Sequence, residues 1–292
     1  MKKKYLCLFI APIFLLASCI TNKNIAISGD IETKEIILNE PSKLEIYDIT
    51  IKDNFSTIGP TVVCLNDSTS IKKAVIKTNS DLIDKISIRE SGQSLKISAS
   101  SHEVYVTNSC EIYLYNCTFE SIDLDNAVQM IANDGTLRED KLEVYLERAS
   151  SLEINKLFLN EIDVELSGAA VFTAKQIELN DASFELSGAS KVDITSFEAD
   201  DVSLSLSGAS SFTSSGTVDK INVEAVGASR VDMINTNSSK VSGKLSGASS
   251  GYFSFRGTLK MNLAGASSLY YLGDSQELDV NATGGSKVRK YQ

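Results

Sequence analysis

The sequence predicts an all-β protein, a parallel β-helix (solenoid) built from coils of about 20 residues. Three observations predict this fold. A Ser-Gly-Ala motif recurs along the second half of the chain, apolar and polar residues alternate between its copies, and like residues recur at the same place in each repeat. Because one repeat is too short to bury its own apolar face, the repeats must stack on one another.

A glycine at the centre of the motif is expected at a sharp corner of every coil. Successive glycines are separated by 20, 20, 19, 20, 18 and 19 residues. Glycine adopts a positive φ with little strain, and a small alanine or serine beside it can stack at a tight bend. Arg148 occupies the glycine position one repeat earlier and predicts a looser corner there. The corner glycines are Gly168, Gly188, Gly208, Gly227, Gly247, Gly265 and Gly284.

Apolar residues occur two, four and six positions before each corner glycine and four positions after it. This alternation indicates strands with one buried face rather than helices. Stacking in register would place each apolar side chain above its counterpart, with strands about 4.8 Å apart. Two positions before the glycine, the column reads Leu146, Leu166, Leu186, Leu206, Ala225, Leu245, Leu263 and Ala282.

The segment 35–120 lacks the repeat but still alternates like strands, and Ser91-Gly92-Gln93 predicts a hairpin turn within it. We expect this less regular β portion to pack onto the solenoid and cap its first coil, since open solenoid ends aggregate. The regular coils then span 121–292, and 35–292 forms a single head domain. A polar stretch, 19–34, is expected to be a flexible tether.

Residues 1–18 have the features of a lipoprotein signal peptide. Three lysines precede an apolar run that is too short to span a bilayer. The run ends in Leu-Ala-Ser-Cys, which resembles a lipobox and makes Cys19 the candidate lipidation site. An ordinary signal peptide with a cysteine at that place is the alternative. Acyl chains on Cys19 would anchor the protein in the cell envelope, at the outer membrane, and leave open which face it occupies.

Charge and composition argue against several classes of function. The chain carries 28 Lys and Arg against 38 Asp and Glu, and removal of three signal-peptide lysines leaves 25 against 38. No basic patch stands out, so a nucleic-acid partner is not expected. The single histidine, His102, leaves too few ligands for a zinc site, and no cofactor is expected. Cys64, Cys110 and Cys117 could form one disulfide, and the pairing stays open.

The repeated Ser-Gly-Ala-Ser corners, with alternating strands before them, resemble the head GIN domain family of putative auto-transporter adhesins of Bacteroidota. The resemblance spans roughly 34–292 and includes the segments 44–47, 78–83 and 95–97. It implies a right-handed parallel β-helix with a role in adhesion and no catalytic residues.

Several polar groups are candidates for chemistry, each with a simpler structural interpretation. Glu198, Asp200 and Asp201, and separately Asp163 and Glu165, could act as paired carboxylates on a sugar. We favour solvated outward positions, because coils of nearly constant length predict no cleft. A column eight positions before the glycine could bind calcium or form a turn ladder, which we favour. It reads Asn160, Asn180, Asp200 and Asp219.

The corner serines are expected to be structural, since no histidine lies near them in the sequence to act as a base. They are Ser190, Ser210, Ser229, Ser249, Ser267 and Ser286.

Two outward tyrosines near the C-terminus are the candidate ligand platform. Tyr252 and Tyr270 occupy one column, and Arg289 is next in it. Aromatic faces one coil apart could bind a glycan or a protein, or could stack to shield the last coils. We therefore expect a non-catalytic, lipid-anchored adhesin or recognition protein. The alternatives are a scaffolding envelope protein without a ligand and, third, a polysaccharide-processing enzyme.

Overall fold

The structure is a computed structural model, and it describes residues 23–27, 29–52, 57–100, 103–107, 109–137, 140–273 and 277–291. The signal peptide 1–18 and the expected lipid site Cys19 lie outside these residues. Within them, no helix is long and apolar enough to cross a membrane.

Strands make up nearly all of the regular structure. The first part of the chain contains β1 (Lys23–Ala26), β2 (Ile31–Ile37), β3 (Lys43–Tyr47), β4 (Thr50–Lys52), β5 (Thr57–Ile58), β6 (Thr61–Leu65), β7 (Lys73–Asn79), the short helix α1 (Ser80–Ile83), β8 (Ser87–Ser91), β9 (Ser94–Ser98), β10 (Glu103–Val106), β11 (Cys110–Tyr115), β12 (Ser121–Leu124) and β13 (Gln129–Ala132). The second part contains β14 (Lys141–Leu146), β15 (Ser151–Phe158), β16 (Glu161–Leu166), β17 (Val171–Leu186), β18 (Lys191–Leu206), β19 (Ser211–Ala225), β20 (Arg230–Leu245), β21 (Ser250–Leu263), β22 (Ser268–Leu272), β23 (Glu277–Ala282) and β24 (Lys287–Lys290).

The predicted parallel stack is confirmed in the regular coils. Leu166 pairs with Leu186, and Leu186 pairs with Leu206, each in parallel register. All three side chains are almost fully buried. Like residues therefore lie one above another along the solenoid, and the alternation of the sequence puts one face of each strand into a shared core.

Each regular coil has three sides. In the coil that follows Gly188 they are face 1 (191–194), face 2 (196–199) and face 3 (201–206). Phenylalanines from all three faces meet in the interior, where the rings of Phe184 and Phe212 lie edge to face with centroids 5.0 Å apart. Packing of this kind fills the centre of the coil with apolar side chains.

The corner between faces 3 and 1 requires glycine for two independent reasons. All seven corner glycines have φ between +69° and +79°. A Cβ added to Gly188 would also lie only 2.5 Å from the carbonyl oxygen of Gly168 in the coil before it. That carbonyl accepts a hydrogen bond of 2.6 Å from the backbone N–H of Ala189, so the ladder continues through the bend.

The looser corner predicted at Arg148 is wrong. Arg148 takes a φ of +58°, close to that of the glycines, and its carbonyl accepts a hydrogen bond from Ala169 as the glycine carbonyls do. Its guanidinium forms an ion pair of 2.5 Å with Asp125 of the preceding coil. This contact offsets the strain of a positive φ on a residue with a Cβ.

The unequal coil lengths are absorbed mainly between faces 1 and 2, and between β20 and β21 also between faces 2 and 3. The pairing of β18 with β19 shifts by one residue between Ile194 and Phe197, where the interval between corner glycines falls to 19. Gly216 sits at this shift with φ of +138°. The corner glycines and face 3 keep their register across the same pair of coils.

The N-terminal portion continues the solenoid instead of forming a separate layer on it. Leu44 of β3 pairs with Ile122 of β12 on one side and with Leu95 of β9 on the other. The coil 43–65 therefore lies between the coils 94–115 and 121–132, out of sequence order. The expected boundary at residue 120 is not a boundary of the stack.

The outer end of this portion carries antiparallel strands, whereas the expected cap on the first regular coil is replaced by further coils of the stack. β7 pairs antiparallel with β11, and β8 pairs antiparallel with β9 through the predicted hairpin at Gly92. A small second sheet, in the order β1-β10-β4-β5, lies at one corner of these coils.

The flexible tether expected over 19–34 is wrong from Lys23 onward. Here β1 pairs with β10 and β2 pairs with β7. Ile25 and Ile27 also pack against the core. Backbone hydrogen bonds to neighbouring strands hold this segment. Nearly every residue type can form such bonds, so this pairing does not require apolar periodicity in the sequence.

Candidate binding groove

An open groove of about 840 Å³ runs along the turns that join face 2 to face 3. It reaches from Phe158 to Arg256 and so crosses six successive coils. Five steps of about 4.8 Å make it about 24 Å long. The expectation of no cleft is therefore wrong, since a shallow channel forms where the turns of neighbouring coils line up.

The floor of the groove is apolar and its rim is acidic. Leu179 and Val218 form part of the floor and are almost fully buried. Phe158 at one end is 49% exposed. Arg256 is at the other end. The rim carboxylates are Glu178, Glu198, Asp200 and Asp219.

The first half of the rim is a ladder of amides, which agrees with the favoured turn-ladder interpretation. Asn160 Nδ2 donates to Asp140 Oδ1 at 2.9 Å, and Asn180 Nδ2 donates to Asn160 Oδ1 at 3.4 Å. The next two members of the column, Asp200 and Asp219, are carboxylates, which have no N–H to continue the chain of donors. The acceptor oxygens of Asp200 and Asp219 face an open channel.

Two of the other candidate acids are held in ion pairs on the surface. Asp201 lies 3.0 Å from Lys220, and Asp163 lies 2.8 Å from Lys141. Hydrogen bonds that Lys141 donates to Asp163 and Glu161 raise the pKa of Lys141 above its usual range. Glu198 and Asp200 are brought together in the groove, whereas Asp163 and Asp201 lie outside its lining.

Calcium coordination by the turn column gains no support from the geometry. In the part of the chain that the structure describes, no three His, Cys, Asp or Glu side chains are grouped closely enough to hold a metal ion.

The tyrosine column is a closed stack. The rings of Tyr252 and Tyr270 are nearly parallel, at 8°, with centroids 4.6 Å apart. The guanidinium of Arg230 lies 4.0 Å from the centre of the Tyr252 ring, and Tyr291 meets that ring edge on. Arg289 pairs with Tyr270 in the next strand. Tyr252 thus has neighbours on its faces and edge, which favours the shielding interpretation over an open platform.

The corner serines are structural, as predicted. Ser210 Oγ donates to the carbonyl oxygen of Ser207 at 2.9 Å, and Ser249 Oγ donates to that of Ala225 at 3.1 Å. Ser190 is the exception: its buried hydroxyl has no hydrogen-bond partner among the described residues. Ser286 in the last coil donates to Thr283 at 2.6 Å.

The three cysteines of the N-terminal portion are buried free thiols. Burial raises the pKa of Cys110 to about 12 and that of Cys117 to about 11. It also raises the pKa of Cys64, with a smaller contribution from the nearby Cys117. Such thiols pack as small apolar groups and are poor nucleophiles.

Two overlapping stretches, 54–175 and 166–275, match the protein family described as putative auto-transporter adhesin, head GIN domain. The chain belongs to this family. The resemblance inferred from the Ser-Gly-Ala-Ser corners is thereby confirmed, and it extends into the less regular coils. No curated protein matches the chain.

Solved structures share the fold of this head GIN domain at low sequence identity. A putative adhesin from Parabacteroides merdae aligns with a TM-score of 0.64 at 12% identity, over 92% of this chain and all of that one. A putative lipid binding protein from Parabacteroides distasonis gives 0.65 at 14% identity with the same coverage. A putative adhesin from Bacteroides fragilis gives 0.52 at 13%, over 91% of this chain and all of that one. These identities support the shared fold alone.

The sequence located the turn column but missed the groove and both of its ends. Phe158 and Arg256 are outward residues outside the recurrent columns, so the repeat does not indicate them as candidate site residues. The available signal was a large aromatic residue at an outward position.

Proposed function

We propose that this protein is a non-catalytic recognition protein of the cell envelope, displayed by lipid on Cys19 at the outer membrane, that binds an extended glycan along its groove. The groove is the observation that carries the proposal. It offers a row of carboxylate and amide oxygens over five coils, beside one exposed aromatic ring. The family description as an adhesin supports a role in recognition.

The chemistry of the lining favours sugar hydroxyls as the bound groups. Glu198 and Asp200 from one coil and Asp219 from the next present acceptors along the channel. Sugar hydroxyls donate to such acceptors, and the exposed ring of Phe158 can stack on the apolar face of a sugar. A row of sites lets several weak contacts add up along one chain.

Binding to a glycan array by the purified protein tests this proposal. We expect the double variant Glu198→Ala/Asp200→Ala, and separately Phe158→Ala, to weaken glycan binding by at least about tenfold, because each removes contacts from the channel. Glu153→Ala is the matched control, since Glu153 is exposed on face 1 and lies outside the groove lining. Unchanged binding by the groove variants, with circular dichroism intact, would contradict the proposal.

Anchoring and catalysis have their own tests. Metabolic labelling with an alkyne fatty acid should mark the wild-type chain and not Cys19→Ala. Protease digestion of whole cells should cleave a surface-displayed head, and protection until the outer membrane is opened would contradict its display outside the cell. Release of reducing sugar from a bound glycan would contradict a non-catalytic role.

Scaffolding of the envelope is the second candidate function. It is favoured by the last coil, whose strand edges and apolar side chains are left uncovered by the described residues. A scaffolding protein would bind no glycan on the array.

A further inference from the structure

The two ends of the solenoid differ in the direction of their outer strands. At the first end the outer strands run antiparallel to the coils, since β8 pairs with β9 and β2 pairs with β7. At the last end, β23 pairs only with β21 and β24 only with β22 among the described strands. The outer edges of β23 and β24 therefore present unpaired N–H and C=O groups, which are a template for a further strand.

The last coil also exposes apolar side chains that other coils bury. Leu278 is 45% exposed and Val288 is 37% exposed, whereas their counterparts one coil earlier, Leu259 and Leu269, are fully buried. A strand that pairs with this edge would remove both apolar surface and unpaired backbone groups from water.

The two edge strands carry opposite charges on their outward faces. β23 carries Glu277 and Asp279 outward, and β24 carries Lys287 and Arg289. Glu277 is 2.9 Å from Lys260 of the same chain. Lys287 and Arg289 form no ion pair with any residue that the structure describes.

A second copy of the same last coil fits this pattern of charge. Rotation about a two-fold axis through the corner 283–286 exchanges the positions of the two strands, so β23 of one copy meets β24 of the other, antiparallel. The acidic strand then lies beside the basic strand twice, once on each side of the axis. Pairing β23 with its own copy would oppose like charges, which is destabilising.

The rise of the coil is compatible with this arrangement. One coil climbs about 4.8 Å per turn, so β24 lies further along the axis than β23. Because the two strands exchange places in the copy, the offset cancels and both strand pairs reach the same separation. The interface is isologous, since the same patch serves both copies.

We propose that two copies of this chain pair tail to tail through β23 and β24, which joins two solenoids into one continuous sheet structure. Antiparallel register with apolar side chains kept inside places Asp279 opposite Arg289 of the second copy, and Val280 opposite Val288 of the second copy. Because the interface is isologous and uses the same last coil of both chains, it closes at two copies.

Analytical ultracentrifugation of the purified chain, over a range of concentrations, tests this pairing. We expect twice the chain mass for the wild type. Asp279→Arg and Arg289→Asp should each weaken the dimer by at least about tenfold, because each reversal puts like charges together at two symmetric places. The double variant Asp279→Arg/Arg289→Asp should restore the dimer, since it exchanges the two charges.

Glu224→Lys is the matched control, because Glu224 is exposed on an interior coil far from the edge. It should leave the dimer intact. A wild-type chain that stays monomeric at all concentrations would overturn the proposal. So would polymers that grow with concentration, which indicate head-to-tail contacts, or a double variant that stays as weak as the singles.

Discussion

The residue type that each position of this solenoid accepts depends on the coil below as much as on its neighbours in sequence. Gly188 needs its positive φ, and it also has no room for a Cβ above the carbonyl of Gly168. Arg148 takes a similar positive φ, and its ion pair with Asp125 helps to hold the bend. The repeated glycine was readable from the sequence, whereas the tolerance of an arginine depended on a partner 23 residues away.

The corner serines supply a matched pair of substitutions. Ser190→Ala should leave the free energy of unfolding unchanged or raise it by up to about 1 kcal/mol, because the buried hydroxyl of Ser190 has no partner among the described residues. Ser210→Ala should lower it by about 1 kcal/mol, since it removes a hydrogen bond to Ser207. Ala170 already occupies the equivalent place one coil before Ser190.

Urea denaturation of both variants measures this difference. Equal losses in the two variants would contradict the assignment of a satisfied and an unsatisfied hydroxyl.

The strands show why some elements were predictable and others were not. In the regular coils each strand repeats the same pattern of burial, so side chains alone reveal the pairing. In the N-terminal portion the coil 43–65 lies between 94–115 and 121–132, and this order is set by backbone hydrogen bonds that every sequence can make. The strand β1 was mistaken for a tether for the same reason.

The buried thiols of the N-terminal coils predict a loss of stability at alkaline pH. Cys110 and Cys117 stay protonated in the folded protein up to a pH of about 12 and about 11, because burial raises the pKa of each. In the unfolded chain they ionise near 9.0. Above that pH the unfolded state binds fewer protons than the folded state, so the free energy of unfolding falls as pH rises.

Denaturation midpoints at pH 7, 9 and 10.5 measure this slope, and Cys117→Ala should reduce it. In peptide-resolved alkylation at pH 8, the three thiols should react only after unfolding. Rapid labelling of the native protein would contradict the burial of the thiols.

The whole molecule is a narrow filled stack with an acidic channel along one edge and unequal ends. Its overall form followed from the recurrence of glycine and leucine columns, which is a property of the sequence as a whole. The groove did not follow, because it depends on how turns of successive coils align, and residues such as Phe158 and Arg256 enter it from outside the repeat. The uncovered edge of the last coil was likewise not predictable, because it depends on which of the described strands pair with β23 and β24.

The most direct test of the stacking is a pair of engineered disulfides on the outward side of face 3. Glu185 and Ser205 are register partners in adjacent coils, and neighbouring strands bring Cα atoms to about 4.8 Å, within the range of a disulfide. Glu185→Cys/Ser205→Cys should therefore cross-link under mild oxidation and shift on a non-reducing gel. Glu185→Cys/Ser203→Cys, displaced by two residues, should not. Cross-linking of the displaced pair instead of the register pair would contradict the in-register solenoid.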